Sequence, residues 1–230
     1  MTVQYDQHFM INKEVLKYIG NLTKKKDKVL EIGAGHGELT QFLNGKITSL
    51  EIDQDLFKLL KAKIKNVNFI NTNALKYNLN NFDIILGNLP YYICESLFNK
   101  LIKTKFKQGI FMIPRNFIEK GVLNYVIKDF FNIEILKEIN KEDFLPLPKT
   151  ESVLIKITPK EPTAFGLIYL QNTKKLKNAI EYALTKKGYT QKQAKEKMPN
   201  LKFLNKKCFE LNFEEWLQVI GFSRTIILQK

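Results

Sequence analysis

The segment GNLPYYI, residues 87–93, follows the apolar run FDIIL and carries an amide, a proline and two tyrosines in close succession. A turn at the end of a strand can use Pro90, which fixes the backbone and brings no N–H donor. Such a turn has no need of the two tyrosines beside it. The residue types therefore raise the question of what chemistry Asn88, Tyr91 and Tyr92 serve.

Methyl transfer to an exocyclic adenine amine is a reaction that these residue types suit. The lone pair of that nitrogen is delocalised into the ring, and hydrogen-bond acceptors on its protons draw the nitrogen toward tetrahedral geometry. The side-chain oxygen of Asn88 and the carbonyl of Leu89 are such acceptors, while the ring of Tyr91 can stack on an extruded base. No general base of unusual pKa is needed, so geometry and electrostatics carry the catalysis. A polar strand-to-helix turn without a catalytic role is the alternative.

A glycine-rich segment, EIGAG over residues 31–35, follows the first predicted strand. Glycines at alternate positions between a strand and a helix let the backbone approach a ligand where a Cβ atom would clash. At the end of the second strand, 18 residues after Gly33, Glu51 can accept hydrogen bonds from both hydroxyls of a ribose. The two features predict a nucleoside-containing cofactor at the carboxyl edge of a sheet. Tight turns without a ligand are the alternative.

The spacing of the glycines distinguishes between two cofactors. Dinucleotide-binding turns read G-x-G-x-x-G, whereas this chain has G-x-G-x-G with an acid, Glu31, two residues before the first glycine. A pyrophosphate binds at a helix N-terminus that is free of nearby negative charge, while Glu31 suits a cation such as the amino group of an amino acid. The pattern favours S-adenosylmethionine over a nicotinamide dinucleotide.

These residues need an α/β sheet to position them. Short apolar runs alternate with segments of helical spacing, which predicts an open, mostly parallel sheet covered on both faces. The last two runs have no helix between them and can pair antiparallel at an edge. The predicted strands are Lys28–Ile32, Ile47–Ile52, Val67–Asn71, Asp83–Gly87, Gly109–Ile113, Ile133–Ile139 and Val153–Ile157, and the predicted helices are Asn12–Leu22, Asp55–Ile64, Ser96–Ile102 and Asn116–Lys128.

Composition changes near residues 158–162, where two prolines bracket charged residues as in a linker. We predict a catalytic, cofactor-binding domain over residues 1–160 and a small, basic, all-helical domain over residues 161–230. The helices of the second domain are predicted at Asn172–Lys187, at Thr190–Lys197 and from Asn212 onward.

The charge of the chain is uneven. Its net charge is +14, and residues 160–230 alone hold 14 basic and 6 acidic residues, a net +8. This excess favours RNA or another polyanion as the partner of the C-terminal part. A lysine-rich proteome with a solvated basic surface is the alternative.

Cysteine content and hydrophobicity narrow the class of protein. The two cysteines, Cys94 and Cys208, do not make a disulfide framework, and no Cys/His cluster has zinc spacing, so no metal is expected. The N-terminal residues lack the basic and apolar regions of a signal peptide, and no apolar run approaches the roughly 18 residues of a membrane span. We expect a cytoplasmic protein without a membrane partner.

The motifs above resemble, in order and spacing, those of the ribosomal RNA adenine dimethyltransferase family, which includes the antibiotic-resistance methyltransferases of the large-subunit RNA. The resemblance covers roughly residues 4–160. It implies an α/β fold, a Rossmann-like S-adenosylmethionine-dependent methyltransferase sheet followed by a small all-helical C-terminal domain. The matching segments are Asp6–Met10 (DQHFM), Glu31–Gly35 (EIGAG), Leu50–Asp53 (LEID), Asn73–Leu75 (NAL), Asn88–Tyr91 (NLPY) and Phe144–Ser152 (FLPLPKTES).

The resemblance implies roles for individual residues. Asn88 would lie between methyl donor and acceptor amine, with Tyr91 on one face of the target adenine and Phe144 on the other. Asn73 stands where the family has aspartate; its side-chain oxygen would still accept from the adenine amine of the cofactor, but without charge and with weaker binding. The implied catalytic residues are Asn88, Leu89, Pro90, Tyr91 and Phe144, and the implied cofactor-binding residues are Gln7, His8, Met10, Glu31, Gly33, Gly35, Glu51, Asn73 and Asn88.

The substrate that the resemblance implies is small-subunit rRNA. Asp6-Gln7-His8 and Tyr92 look most like the archaeal branch of the small-subunit enzymes, which implies two adjacent adenosines in a hairpin loop near the 3′ end, each receiving two methyl groups. A monomer acting on the assembling small subunit is expected. Tyr92 has no role of its own and is expected to pack beneath the site.

Three other functions stay open on the sequence alone. The nearest is a large-subunit rRNA methyltransferase of the macrolide-resistance type. A more distant one is a DNA adenine methyltransferase. From a different class comes a ribosome-assembly or transcription factor that keeps the fold but has lost catalysis.

Overall fold

The computed structural model describes residues 8–227 of the chain. By their contacts these residues form two compact units, one of residues 8–119 and 132–159 and the other of residues 120–131 and 160–227. The break near residue 160 coincides with the predicted linker. Nothing in the sequence pattern indicated that residues 120–131 group with the C-terminal residues.

The first unit is built on a sheet. Seven strands form it, and two further strands pair separately. The ranges are β1 Phe9–Met10, β2 Lys28–Ile32, β3 Lys46–Glu51, β4 Asn68–Asn71, β5 Phe82–Asn88, β6 Phe106–Pro114, β7 Phe131–Ile139, β8 Phe144–Leu145 and β9 Ser152–Pro159.

The strand order in the large sheet is β4-β3-β2-β5-β6-β9-β7. The neighbours from β4 to β6 are all parallel, whereas β9 runs antiparallel to β6. The predicted open, mostly parallel sheet is confirmed, with the last two strands as neighbours at one edge. The separate sheet of β1 and β8, which the sequence did not predict, pairs Phe9 with Leu145 and Met10 with Phe144.

The central strands bring three predicted site segments to one edge of the sheet. Because β3, β2 and β5 are adjacent and parallel, their carboxyl ends lie side by side. Glu51 ends β3, the glycine segment follows β2, and Asn88 ends β5. Strands of a parallel sheet are covered on both faces, which explains their near-continuous apolar sequences.

Three α-helices belong to the first unit, α1 Lys13–Asn21, α2 Gln54–Lys63 and α3 Cys94–Leu101. They confirm three predicted helices with ends shifted by one or two residues. The side chains of Asn12 and Asp53 accept backbone N–H groups at the starts of α1 and α2. Asp53, two residues after Glu51, therefore acts as a helix cap.

The second unit is helical, with α4 Gly121–Phe130, α5 Ala164–Tyr169, α6 Leu176–Lys186, α7 Gln191–Glu196 and α8 Phe213–Ile227. The carboxylate of Asp129 in α4 accepts hydrogen bonds from the N–H and hydroxyl of Thr163 and from the N–H of Gly166, at 2.6–3.0 Å. These bonds fix α4 to the start of α5. They explain physically why residues 120–131 join the C-terminal unit.

Three helix predictions need correction. The helix predicted at Asn172–Lys187 begins only at Leu176, because the backbone of residues 174–176 pairs with that of residues 206–208. The helix predicted at Asn116–Lys128 begins only at Gly121, because a 3-10 turn precedes it and Gly121 has a φ of 79°. The helix α5 was not predicted, since its six residues are too few to show a clear apolar period. The predicted starts at Thr190 and Asn212 are confirmed by side-chain hydrogen bonds.

Within residues 8–227, no helix has the length and apolar character that crossing a membrane requires.

Candidate active site

A cavity of about 350 Å³ lies at the carboxyl edge of β2, β3 and β5. Its lining brings together nearly all of the residues that the sequence singled out for catalysis or cofactor binding. Gln7 is the exception, because it lies outside the described residues. The predicted site residues that line the cavity are His8, Met10, Glu31, Gly33, Gly35, Glu51, Asn73, Asn88, Leu89, Pro90, Tyr91 and Phe144.

The two glycines after β2 are required for different structural reasons. Gly33 has a φ of 75°, and a Cβ atom built there meets no atom within 4 Å, so the glycine leaves open space toward the cavity. Gly35 has a φ of 58°, and its Cβ atom would lie 3.0 Å from the ring of Phe9. The sequence attributed both glycines to the approach of a ligand. For Gly35 the structure adds the packing of β1 against the glycine turn.

The carboxylate of Glu51 holds the glycine turn and the end of β3 together. One oxygen accepts the N–H of Gly35 and the other accepts the N–H of Asp53, each at 2.9 Å. The side chain is 2% exposed, and burial raises the pKa of Glu51. Each carboxylate oxygen has a second lone pair, so the group can still accept two ligand hydroxyls.

Glu31 is buried more deeply, with 1% of its surface exposed. The hydroxyls of Ser49 and Thr40 donate to the same carboxylate oxygen at 2.6 and 2.7 Å. Burial nevertheless raises the pKa of Glu31 to about 7. Because the folded protein holds this proton more tightly than the unfolded chain, the contribution of Glu31 to stability falls as the pH rises from 4.5 to about 7.

The amide of Asn88 is oriented by His8, the residue before β1. Its Nδ2 donates to the backbone carbonyl of His8 at 2.7 Å. This bond fixes the nitrogen end of the amide and leaves Oδ1 as the end available to an incoming amine. The resemblance implied that His8 binds the cofactor and gave no sign of this backbone contact, which joins residues 80 positions apart.

His8, which directly precedes β1, is itself anchored. The Nδ1 atom of His8 lies 2.9 Å from the carbonyl oxygen of Pro146, and β1 pairs with β8 next to it. Residues 8–10 and 144–146 are thus joined to each other, and His8 contacts Asn88 at the end of β5.

Tyr91 and Tyr92 occupy a short 3-10 turn, Tyr91–Ile93, and face different surroundings. The hydroxyl of Tyr91 lies 2.8 Å from Oγ of Ser152, and its ring contacts that of His8 with centroids 5.7 Å apart. Tyr92 is 55% exposed and lines the cavity. The prediction that Tyr92 packs beneath the site is wrong, because successive residues of a 3-10 turn point about 120° apart.

Phe144 combines two environments. It lines the cavity, yet only 3% of its surface is exposed and it packs in the same hydrophobic cluster as Met10. Its role as the second stacking surface for a target adenine therefore stays a prediction.

Asn73 uses its side-chain oxygen within the protein. Oδ1 accepts the N–H of Leu75 at 2.8 Å, closing a local turn. The oxygen that the sequence assigned to the cofactor's adenine amine thus has one lone pair in use and one left to accept from that amine, without a negative charge. The other end of the amide is an NH₂ group, which cannot accept from an amine.

Replacing Asn73 by aspartate is therefore expected to tighten S-adenosylmethionine binding about threefold to tenfold. One carboxylate oxygen would keep the Leu75 N–H, and the second would accept from the adenine amine in a charge-assisted hydrogen bond. Titration calorimetry measures the Kd. The control is Asn78→Asp, since Asn78 caps the N–H of Asn80 in the same way and does not line the cavity. Equal or weaker binding by Asn73→Asp would show that the adenine is recognised elsewhere.

The mostly parallel sheet with a cavity at its carboxyl edge defines the class of fold, a Rossmann-like α/β domain. The sequence model of the ribosomal RNA adenine dimethylase family matches residues 1–207, so the chain belongs to that family. The predicted family and enzyme class, an rRNA adenine dimethyltransferase, are confirmed.

Curated relatives are named as small-subunit rRNA methyltransferases. The chain is 34% identical over 206 residues to a protein of Methanosarcina barkeri named probable ribosomal RNA small subunit methyltransferase A, covering 76% of this chain and 71% of the relative. A protein of the same name from Methanosarcina mazei is 31% identical, covering 94% of this chain and 90% of the relative.

Solved structures share the fold. A dimethyladenosine transferase from Plasmodium falciparum superposes with a TM-score of 0.63 at 23% identity, over 94% of this chain and 98% of that one. The 23S rRNA methyltransferase ErmE superposes with a TM-score of 0.61 at 18% identity, over 94% and 99%.

Proposed function

We propose that this protein transfers methyl groups from S-adenosylmethionine to the N6 amines of two adjacent adenosines in a hairpin loop near the 3′ end of small-subunit rRNA. The observation that carries the proposal is the hydrogen bond from Asn88 Nδ2 to the His8 carbonyl, which presents Oδ1 as an acceptor. The names of the curated relatives support the small subunit as the target. A monomer working on assembling small subunits in the cytoplasm fits this role.

The cavity fits the proposed cofactor. Glu51 offers acceptor positions for both ribose hydroxyls, and Gly33 leaves open space beside them. Asn73 lines the cavity at the end of β4, where the adenine would bind, and the buried Glu31 lies on the side of the glycine turn. When bound, S-adenosylmethionine supplies a methyl group activated by its attachment to a positively charged sulfur.

Catalysis by the protein then consists of positioning. Oδ1 of Asn88 and the carbonyl of Leu89 would accept hydrogen bonds from the two N–H groups of the target amine, which localises its lone pair on nitrogen and directs it toward the methyl group. Tyr91, held at its hydroxyl by Ser152, offers its ring to the flipped adenine. The amine proton becomes acidic once the methyl group is attached, so it leaves to solvent without a dedicated base.

A cluster of exposed lysines in the second unit supports RNA docking. Residues 174–176 and 206–208 run antiparallel, joined by hydrogen bonds of 2.8 and 3.0 Å and a bridge between Lys175 and Lys207. This pairing gathers lysines that are about 30 positions apart in the sequence. We call Lys174, Lys175 and Lys207 the lysine patch. Its ammonium groups suit contacts with phosphates rather than bases.

Reversing the charge of the lysine patch, with all three residues changed to glutamate, is expected to weaken rRNA binding at least about tenfold and to flatten its salt dependence. Cofactor affinity should stay unchanged. Filter binding of the isolated rRNA at several salt concentrations measures the rRNA affinity and its salt dependence. Lys187 is left intact because its ammonium binds the carbonyl of Pro162 within the fold.

The matched control for the lysine patch changes Lys24, Lys25 and Lys26 to glutamate. These three lysines are exposed, lie in the turn before β2, and give the same change in net charge. If both triple variants lose the same affinity, the effect reflects net charge alone and the docking role of the patch is refuted.

The test of the function is to map labelled methyl groups on purified, undermethylated ribosomal subunits. Dimethylated adenosines confined to a hairpin loop near the 3′ end of the small-subunit rRNA are expected. Methylation of the large subunit would instead identify an enzyme of the resistance type. Tight rRNA binding without any transfer would favour a noncatalytic assembly factor.

A further inference from the structure

Lys100, in the last turn of α3, makes three hydrogen bonds with one short segment. Its Nζ donates to the backbone carbonyls of Ala74, Leu75 and Tyr77 at 3.2, 2.7 and 2.5 Å. Lys100 itself is half-buried and does not line the cavity. The segment that it binds begins one residue after Asn73.

Residues 73–77 form a single helical turn whose carbonyls need partners. The N–H groups of Lys76 and Tyr77 bond to the carbonyl of Asn73, and its side chain caps the N–H of Leu75. The turn is not continued into a helix, so its later carbonyls have no N–H groups of a following turn. The ammonium of Lys100 has three N–H bonds, which match the three carbonyl acceptors.

The contact joins two walls of the cavity. On one side it holds the turn of Asn73, Ala74 and Leu75, all of which line the cavity. On the other side, α3 starts directly after the 3-10 turn of Tyr91, Tyr92 and Ile93, which also line it. One ammonium group therefore sets the distance between the Asn73 turn and the helix that follows the NLPY segment.

We propose that Lys100 is a positioning residue for cofactor binding: it holds the Asn73 turn at the place where the adenine of S-adenosylmethionine binds. This inference rests on the proposed function of the cavity. Lys100 acts through the turn and touches neither the cofactor nor the target base. Without it, the three carbonyls lose their donor, and the turn has to find water or another conformation before the adenine can bind.

The test compares Lys100→Met with Lys103→Met. Methionine keeps the unbranched apolar stem but not the ammonium, and Lys103 is an exposed lysine just after α3. For Lys100→Met, the Kd and the KM for S-adenosylmethionine are expected to rise about tenfold, with kcat at saturating cofactor and the KM for rRNA within twofold of the wild type. Lys103→Met should match the wild type in all four constants.

Binding of adenosine shows which part of S-adenosylmethionine depends on Lys100. Adenosine carries the adenine and the ribose but not the methionine part, so Lys100→Met should weaken adenosine and S-adenosylmethionine binding by the same factor. If Lys100 had only a structural role, Lys100→Met would lower the urea midpoint of unfolding. It would not raise the KM for S-adenosylmethionine while leaving kcat unchanged. Lys100→Arg, which keeps donors at the same place, should restore part of the affinity.

The possible results distinguish a failure of the proposed role of Lys100 from a failure of the proposed function. A wild type that binds no S-adenosylmethionine overturns the proposed function. A wild type that binds it, with a folded Lys100→Met variant of unchanged Kd, overturns the role of Lys100. If Lys100→Met does not fold, Lys100→Gln decides, because its shorter side chain has two N–H donors for the three carbonyls. An unchanged Kd for both ligands refutes the role, and a Kd raised equally for both supports it.

Discussion

Asn88→Ala is expected to lower the rate of methyl transfer about a thousandfold while S-adenosylmethionine still binds within a few-fold of its wild-type Kd. The side-chain oxygen is fixed by the bond from Nδ2 to the His8 carbonyl before the target arrives. Removing one such preorganised contact from a transition state costs on the order of 10²–10³ in rate. The alanine variant also loses the contact that holds the amine in line with the methyl group.

Single-turnover transfer of labelled methyl groups to undermethylated small subunits measures this rate. Asn132→Ala is the control, because Asn132 is an exposed asparagine of β7 outside the cavity. A circular-dichroism melt shows whether the variants keep the fold. An Asn88→Ala variant with more than a tenth of the wild-type rate would overturn the assignment of the catalytic amide.

The strands of the sheet could be predicted because each carries its signal locally. A strand covered on both faces is mostly apolar, and β2 and β5 are predicted directly from such near-continuous runs. The site edge followed from the same logic, since parallel strands end together. Glu51 and Asn88, each at the end of a parallel strand, accordingly lie at the same edge of the sheet, 37 positions apart in the chain.

What could not be predicted depends on contacts between distant segments. The bond from Asn88 to the His8 carbonyl and the bonds from Lys100 to the Asn73 turn leave no pattern in a single sequence. The grouping of α4 with the C-terminal unit depends on Asp129 meeting Thr163, 34 positions away. Such contacts are chosen by tertiary packing, which overrides local propensity.

Tyr92 shows a different limit. Its residue type fits either a buried packing role or an exposed surface, and only the turn geometry decides between them. The 3-10 turn after Pro90 sends Tyr91 toward Ser152 and leaves Tyr92 exposed at the cavity. The sequence pattern does not give the direction of each ring.

Glu51→Gln is expected to weaken S-adenosylmethionine binding about a hundredfold, with a comparable rise in KM and little change in kcat at saturating cofactor. Hydrogen bonds to a charged group contribute roughly 1.5–3 kcal/mol each, and in the proposed complex two ribose hydroxyls donate to this carboxylate. Glutamine also places an NH₂ group opposite the N–H of either Gly35 or Asp53, where two donors repel each other. The glycine turn then shifts away from the end of β3.

Stability should respond much less than affinity to Glu51→Gln. Burial raises the pKa of Glu51, so the ionised carboxylate costs desolvation energy that a neutral amide avoids. This gain offsets part of the lost bonds to the two N–H groups. Calorimetric Kd values and urea midpoints separate the two effects, with Asp55→Asn as the control because it removes a nearby negative charge from an exposed position on α2. Equal losses of affinity in Glu51→Gln and Asp55→Asn would mean that Glu51 acts only through its charge. A urea midpoint of Glu51→Gln that falls in step with its affinity would mean that Glu51 acts only through the fold.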